Sequence, residues 1–488
     1  MLNLTRREFL QGSAALAGAA TLGNVIPTQA AQQNGSANDR LRVAVIGVRG
    51  RGKSHVSGFA GRHNCIVTHI CDCDESVVDQ AIRSAASRPG NPRPEYVKDM
   101  RRIMDNPNID IVSIATPNHW HSLSAIWAIQ SGKHVYVEKP VSHNVWEGRR
   151  LVEVARHHNK ACQAGTQIRS SSGVQQAIAW LQAGNLGRVK VARGLCYKPR
   201  GSIGQVGAQG GQIPNSIDYS LWCGPAPVQR PMRRGRLHYD WHWTWDYGNG
   251  DLGNQGIHQM DIARWGLGES MVAPKVFSLG GRFGYEDDGE TANTQMCVFD
   301  YGRSQLIFEV RGLRTAEYKA LENIGGAKIG IIFHCENGVM VVPSYSRAIA
   351  YDLDGEVVRR FSGGGDHFGN LVSAIRSGRH QDLNGEIYEG HISSALCHLG
   401  NISYQLGNQT PWNRARGGFQ DNEAASETFE RMRSHLSDNN VPVDNGNCTV
   451  GPVLSLNPQT ERFLDNNRAN QMLTRAYRRG FEVPTQNS

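Results

Sequence analysis

The residues of this chain whose types and spacing could do chemistry begin with Gly47-Val48-Arg49-Gly50-Arg51-Gly52, which closes a short apolar run and leads into a helical stretch. A glycine-rich turn between strand and helix lets backbone N–H groups and a helix N-terminus approach a pyrophosphate, where the helix dipole favours negative charge. The spacing is Gly-x-x-Gly-x-Gly, so Arg49 stands where the dinucleotide fingerprint has its middle glycine. Asp72 ends the next apolar run, 25 residues after Gly47, near the spacing of a carboxylate that binds ribose hydroxyls. Its charge would repel a 2′-phosphate, which favours NAD over NADP. Thr116-Pro117-Asn118-His119-Trp120-His121 and Glu138-Lys139-Pro140 each follow a further apolar run, at the strand ends where open α/β sheets bind ligands. Farther on, helical spacing places Asn254, His258 and Asp261 on one face.

These groups need a scaffold. Leu41–Ile46, Cys65–Cys71, Ile109–Ala115, His134–Val137 and Lys160–Ala164 are strand-length apolar runs separated by helical stretches, and such alternation implies a parallel sheet. A boundary is expected near Gln163. Beyond it come a helix, Ser170–Ala183, and a strand, Val189–Cys196. A glycine- and aromatic-rich excursion over 197–249 follows, and then strands from Val276 to Phe361 joined by turns short enough for antiparallel pairing. Helices over His367–Arg376 and Gly390–Leu406 precede a polar tail with no motif. The expected fold class is α/β: an N-terminal dinucleotide-binding domain and a C-terminal α+β domain with a large, mostly antiparallel open sheet. The expected units are a targeting segment (1–30), a linker (31–39), the two domains (40–163 and 164–410) and a tail extension (411–488).

The glycine-rich turn, Thr116–His121 and above all Glu138-Lys139-Pro140 resemble the Gfo/Idh/MocA oxidoreductase family, which includes glucose–fructose oxidoreductase and inositol dehydrogenase. The resemblance runs from about Leu41 to Leu406. It implies a Rossmann domain that holds NAD through Gly47, Arg49, Gly50, Arg51, Gly52, Asp72, Thr116, Asn118, His121, Glu138 and Lys139. It also implies that Lys139 reaches both the nicotinamide ribose and a substrate hydroxyl, that His258 is the catalytic histidine, and that Asp261 binds substrate. His121 is expected beside the nicotinamide end, and Gln167 and Arg169 where the family lines its cleft. One position departs: the family's Asp-x-Gly-x-His-x-x-Asp segment begins with Asn254 here. An amide can hydrogen-bond a hydroxyl but cannot accept its proton or hold an imidazolium by charge. The implied reaction is hydride removal from a secondary alcohol of a sugar, glycoside or cyclitol, with Lys139 holding the hydroxyl and His258 taking or relaying its proton. Redox-neutral glycosidase, lyase or epimerase chemistry on the same fold is the alternative, and a sugar-binding module without turnover is a reading of another class.

Other features bound the answer. Thr5-Arg6-Arg7-Glu8-Phe9-Leu10, an Ala-rich run and small residues near Ala30 form a twin-arginine export signal, so the mature protein is expected in the periplasm or beyond the cytoplasmic membrane, with no membrane segment. The net charge of +8 falls to +7 when Arg6, Arg7 and Glu8 leave, too mild and dispersed for nucleic acid. The exception is Arg230, Arg233, Arg234 and Arg236, which either meet an anionic substrate or form a solvated loop. The ten cysteines lack a Cys-x-x-Cys pair and sit mostly in apolar runs, so neither disulfides nor a thiolate metal site is expected. His119 and His121 form a His-x-His pair without a third ligand of recognisable spacing, so no metal is expected. Trp241, Trp243 and Trp245 are expected on an extended segment with three rings on one side, which suits a sugar face, a core or a subunit contact. The partners expected are a small-molecule sugar or glycoside and further copies of the chain, associating through the C-terminal sheet.

Overall fold

The computed structural model describes residues 39–484 apart from 208–209, 230–236, 322–323 and 420. The targeting segment, most of the linker and the arginine cluster at 230–236 therefore lie outside the described residues.

The N-terminal sheet consists of β1 (Leu41–Ile46), β2 (Cys65–Cys71), β3 (Glu95–Val97), β4 (Ile111–Ile114), β5 (His134–Val137) and β6 (Cys162–Ala164), in the order β3-β2-β1-β4-β5-β6. All its pairings are parallel. Helices cover both faces, so the strands read as unbroken apolar runs rather than alternating ones; Val43, Ala44 and Val45 are all fully buried. The order reverses at β1, and ligands bind such sheets at this switch point, outside the carboxyl ends of the strands.

The second sheet comprises β7 (Val189–Tyr197), β8 (Lys275–Gly281), β9 (Thr294–Asp300), β10 (Gln305–Arg311), β11 (Ile329–Cys335), β12 (Val339–Ser344), β13 (Arg347–Tyr351), β14 (Val357–Ser362), β15 (Asn408–Pro411), β16 (Asn447–Val450), β17 (Leu454–Asn457) and β18 (Arg462–Phe463). Its path runs β14-β13-β12-β11-β7-β10-β9-β8-β16-β15, with β17 also on β8. Only β7 and β10 pair in parallel; the fold is α/β with a large, mostly antiparallel second sheet. One face packs on the helices Ser172–Gln182, Gly256–Leu267 and Ile387–Gln405. The last of these also touches β6 and the helix Val145–His157, which ties the two sheets together.

Two expectations need correction. The polar tail is part of this fold. Strands β15 to β17 extend the second sheet, and the helix Glu423–Asp438 lays Phe429, Met432 and Leu436 on the outer face against Phe277, Met296 and Ile307. Its Arg431 forms ion pairs with Glu309, which is fully buried. Alternating polar and apolar residues on an amphipathic helix and short strands kept the mean apolarity of the tail low. The outer face of β8–β10 is thereby covered by the chain itself. The tryptophan segment is not extended either: Trp241–Trp243 is a 3-10 turn, because His242 Nδ1 meets Tyr239 O at 2.5 Å and Thr244 Oγ1 donates to Trp241 O at 3.1 Å. Trp241 stacks on His242 with centroids 3.6 Å apart, and Trp243 is buried.

Candidate active site

The glycine-rich turn forms where β1 ends. Gly47 has φ +82°, and a Cβ there would stand 2.7 Å from the Ala115 carbonyl oxygen, so no other residue fits. A Cβ on Gly52, the first residue of the helix Gly52–Phe59, would fall 1.8 Å from Gly47 O, whereas one on Gly50 would meet only open space. The turn is thus packed tightly on its inner side and bare where a phosphate would approach. Arg49, in place of the middle glycine, is exposed at the rim. Asp72 Oδ2 accepts from Val48 N at 2.8 Å and Oδ1 from Asp74 N at 3.0 Å. Burial raises its pKa and these backbone donors oppose the rise. One carboxylate therefore braces the turn and faces the cavity beside it.

That cavity, of about 450 Å³, is lined by Gly47, Arg49, Gly50, Arg51, Asp72, Thr116, Asn118, His121, Glu138, Lys139, Gln167, Asn254 and His258, among others. Residues 47 to 258 of the chain meet there because the ends of β1, β2, β4 and β5 face the helical segment at Asn254, which Lys139 Nζ reaches. Glu138 is the hub at the end of β5. Its Oε1 accepts from Arg51 Nε at 2.8 Å and Gln167 Nε2 at 3.0 Å and lies 3.2 Å from His55 Nε2. Burial would raise its pKa, but His55 and Arg51 hold it well below the usual carboxylate range. Lys139, half-buried beside it, donates from Nζ to Asn254 O at 2.6 Å, and removal from water lowers its pKa.

His258 is only 6% exposed, and its Nδ1 has no hydrogen-bond partner. Burial first, and the Lys139 charge second, push its pKa down to about 3, so the ring is neutral at ordinary pH. Its neighbour is the Tyr345 ring, 5.1 Å away. Asn118 Nδ2 donates to Asn249 Oδ1 at 3.1 Å. The His121 ring nitrogens face Pro140 O at 2.6 Å and Thr116 O at 2.8 Å, so His121 shapes the wall rather than moving protons.

Asp261 and Arg169 are placed elsewhere. They form a buried pair, Nε to Oδ2 at 2.7 Å and Nη2 to Oδ1 at 2.9 Å, with Ser393 Oγ donating to Oδ1 and Glu389 also on Arg169. Neither lines the cavity. The backbone stays helical through Gln255 (φ −89°, ψ −40°), and Asn254 and His258 both line the cavity, whereas Asp261 is taken up by Arg169. Trp241, one of the three tryptophans that suit a sugar face, also lines the cavity, and lining residues beyond those expected include Cys73, Lys98, Asp99, Met100, Leu221, Trp222, His238, Tyr239, His242 and Tyr345. Cys73 follows β2, where the strand-end rule could have found it; Lys98, Asp99 and Met100 follow the short edge strand β3, which has no apolar run to mark it, and the loop residues carry no local signal.

Residues 41–166 match the family described as "Oxidoreductase family, NAD-binding Rossmann fold", and residues 182–307 match "Oxidoreductase family, C-terminal alpha/beta domain". The chain belongs to the Gfo/Idh/MocA oxidoreductase family. Residues 3–23 match the twin-arginine translocation signal sequence, which supports export by that route. As a member of this family it is similar to a "Glycosyl hydrolase family 109 protein" of Shewanella putrefaciens, 33% identical over 180 residues that make up 33% of this chain and 39% of that protein. An "Alpha-N-acetylgalactosaminidase" of Shewanella oneidensis is 32% identical over 184 residues, with the same shares of the two chains. The chain thus spans about two fifths of the length of these curated relatives.

Among solved structures, the WlbA dehydrogenase of Bordetella pertussis, in complex with NADH and UDP-GlcNAcA, has a TM-score of 0.51 at 18% identity, over 73% of this chain and 94% of that one. Levoglucosan dehydrogenase, in complex with NADH and levoglucosan, has a TM-score of 0.53 at 18% identity, over 73% and 95%. At such identities the likeness concerns the fold.

Proposed function

We propose that this family member works beyond the cytoplasmic membrane, in the periplasm, on a secondary alcohol of a sugar or glycoside, with an NAD that stays bound and is recycled within each turnover. The observation that carries the reading is the meeting of Lys139 and His258 in one cavity with the glycine-rich turn and Asp72. NAD fits the residues present: Gly50 leaves the phosphate side of the turn open, and Asp72 faces the cavity as a ribose acceptor. Gly47, Arg49, Gly50, Arg51 and Gly52 would hold the pyrophosphate, and Thr116, Asn118, His121, Glu138 and Lys139 the nicotinamide half. When bound, the cofactor supplies a hydride acceptor that later becomes a donor.

The chain's own residues supply the rest. Lys139 holds the substrate hydroxyl with its Nζ, whose position the Asn254 carbonyl fixes. As the C–H bond gives up its hydride, the hydroxyl proton passes to the neutral His258 ring, at the nitrogen other than the enclosed Nδ1. Asn254 adds an amide near these groups without adding charge, and Gln167 steadies Glu138.

Export favours recycling, because a dissociable cofactor would be lost by mass action where none is regenerated. The names of the relatives from Shewanella favour a glycoside. A ketone on the ring acidifies the neighbouring C–H, so loss of that proton expels the glycosidic group, water adds in its place, and the returned hydride restores the alcohol. For self-association through the second sheet, the β14 edge offers exposed Val357 and Val358.

The test uses purified protein freed of unbound nucleotide and supplied with a glycoside panel but no cofactor. Many product molecules per protein, with no net change in bound NADH, are expected. Turnover that stops after one equivalent and resumes only with added NAD would overturn recycling.

A further inference from the structure

Between Tyr197 and Trp243 the chain leaves the second sheet, and its described residues are held to the dinucleotide domain at two points. At the first, Asp218 N donates to Cys73 O and Glu75 N to Ser216 O, both at 2.9 Å, while His238 Nε2 lies 2.7 Å from Asp74 Oδ2. At the second, Trp120 Nε1 donates to Leu221 O at 3.0 Å and Trp222 O at 3.1 Å, and His119 Nε2 meets Trp222 O at 2.9 Å. Cys73–Glu75 follow β2 and His119–Trp120 follow β4, and the sheet order puts β1 between them. With neighbouring strands about 4.8 Å apart, the anchors bracket the glycine-rich turn at the end of β1. Leu221 and Trp222 line the same cavity as Gly47, Gly50 and Asp72.

The C-terminal tail fastens this segment from outside. Arg478 Nη1 donates to Ser220 O and Nη2 to Ser220 Oγ, both at 3.0 Å, and Phe481 packs edge-on against Trp120 with centroids 5.6 Å apart.

We infer that residues 216–222 are a strap across the dinucleotide site, buckled by the C-terminal tail, and that this strap keeps the cofactor bound between turnovers. A dinucleotide at the turn lies beneath the strap, and leaving requires one anchor to open. His119, of the His-x-His pair, turns its Nε2 to the strap carbonyl of Trp222 and its Nδ1 to Tyr247 O at 3.4 Å.

The inference rests on the proposed reading that NAD is bound, and the test separates the two. Exchange of bound NAD for isotopically labelled NAD is measured in the full-length protein and in two variants, with far-ultraviolet circular dichroism as a check of folding. Arg478→Ala is expected to exchange about tenfold faster or more, the factor that 1.4 kcal/mol represents. Ser220→Ala, at an exposed position, loses only the Oγ acceptor and is expected to exchange severalfold faster; its rate decides alone if Arg478→Ala does not fold. Wild-type exchange rates in the folded variants overturn the strap while leaving NAD binding intact. A wild-type protein that neither carries nor takes up NAD overturns the proposed function, and the strap with it.

Discussion

The Lys139 ammonium donates a 2.6 Å hydrogen bond to the backbone carbonyl of Asn254, the last residue of a five-residue helix. A residue of the β5 end is thereby joined to the segment that carries His258. The carbonyl fixes Nζ without neutralising it, while burial lowers the lysine's pKa.

Lys139→Ala is therefore expected to lower the rate of hydride transfer by about 10²-fold or more while bound NAD is retained, since positioned proton-transfer groups contribute about 10²–10⁴-fold. Lys139→Arg should not restore the rate, because a guanidinium stays charged and does not fit one carbonyl in the same geometry. Single-turnover rates with NAD content measured alongside check this. Retention of more than about a tenth of the wild-type rate would remove Lys139 from the reacting atoms.

Asn254→Asp adds a carboxylate near His258, whose pKa is about 3. A nearby negative charge favours the imidazolium and raises that value. His258 must be neutral to accept a proton, so the acid limb of the pH–rate profile is expected to move to higher pH in the variant. An unchanged limb would mean that Asn254 lies off the proton path.

The buried Arg169–Asp261 pair points to stability rather than substrate contact. Burial would raise the pKa of Asp261, but Arg169 holds it below the model-compound value of 3.8. A depressed carboxylate contributes stability that is present above its unfolded pKa and is lost as pH falls through the folded one, so this contribution fades only below about pH 4. Asp261→Asn leaves a buried guanidinium underpaired and should cost about 3 kcal/mol at pH 7, read by urea unfolding, with KM unchanged. A large rise in KM at unchanged stability would return Asp261 to the substrate site.

All ten cysteines are free thiols, nine of them buried and Cys73 half-buried. Burial pushes the Cys297 thiol up to about 12 and that of Cys73 well above its usual value. The native protein should resist thiol reagents at neutral pH and react at ten positions once unfolded, as measured by colorimetric thiol titration.

Much of this was legible in the sequence because it is local. Five of the six parallel strands stand where short apolar runs ended in glycine or polar residues, since a strand buried on both faces admits little else; the edge strand β3, with Glu95 exposed and only Val97 buried, left no such run to read. The glycine-rich turn, Asp72 and Glu138-Lys139 mark their own places because the ends of parallel strands converge on the switch point whatever lies between them. The aspect of Asp261 was not legible. Helical spacing gives an angle about an axis, not the identity of what packs there, and Arg169, 92 residues away, turned that carboxylate into a buried ion pair. The partners of Lys139 and Glu309, the covering of the outer sheet face and the strap anchored by His119 and Arg478 were likewise decided only by the tertiary structure. Each is a contact between residues far apart in the chain, and such contacts are chosen by the sum of packing and hydrogen bonds that the whole fold makes available.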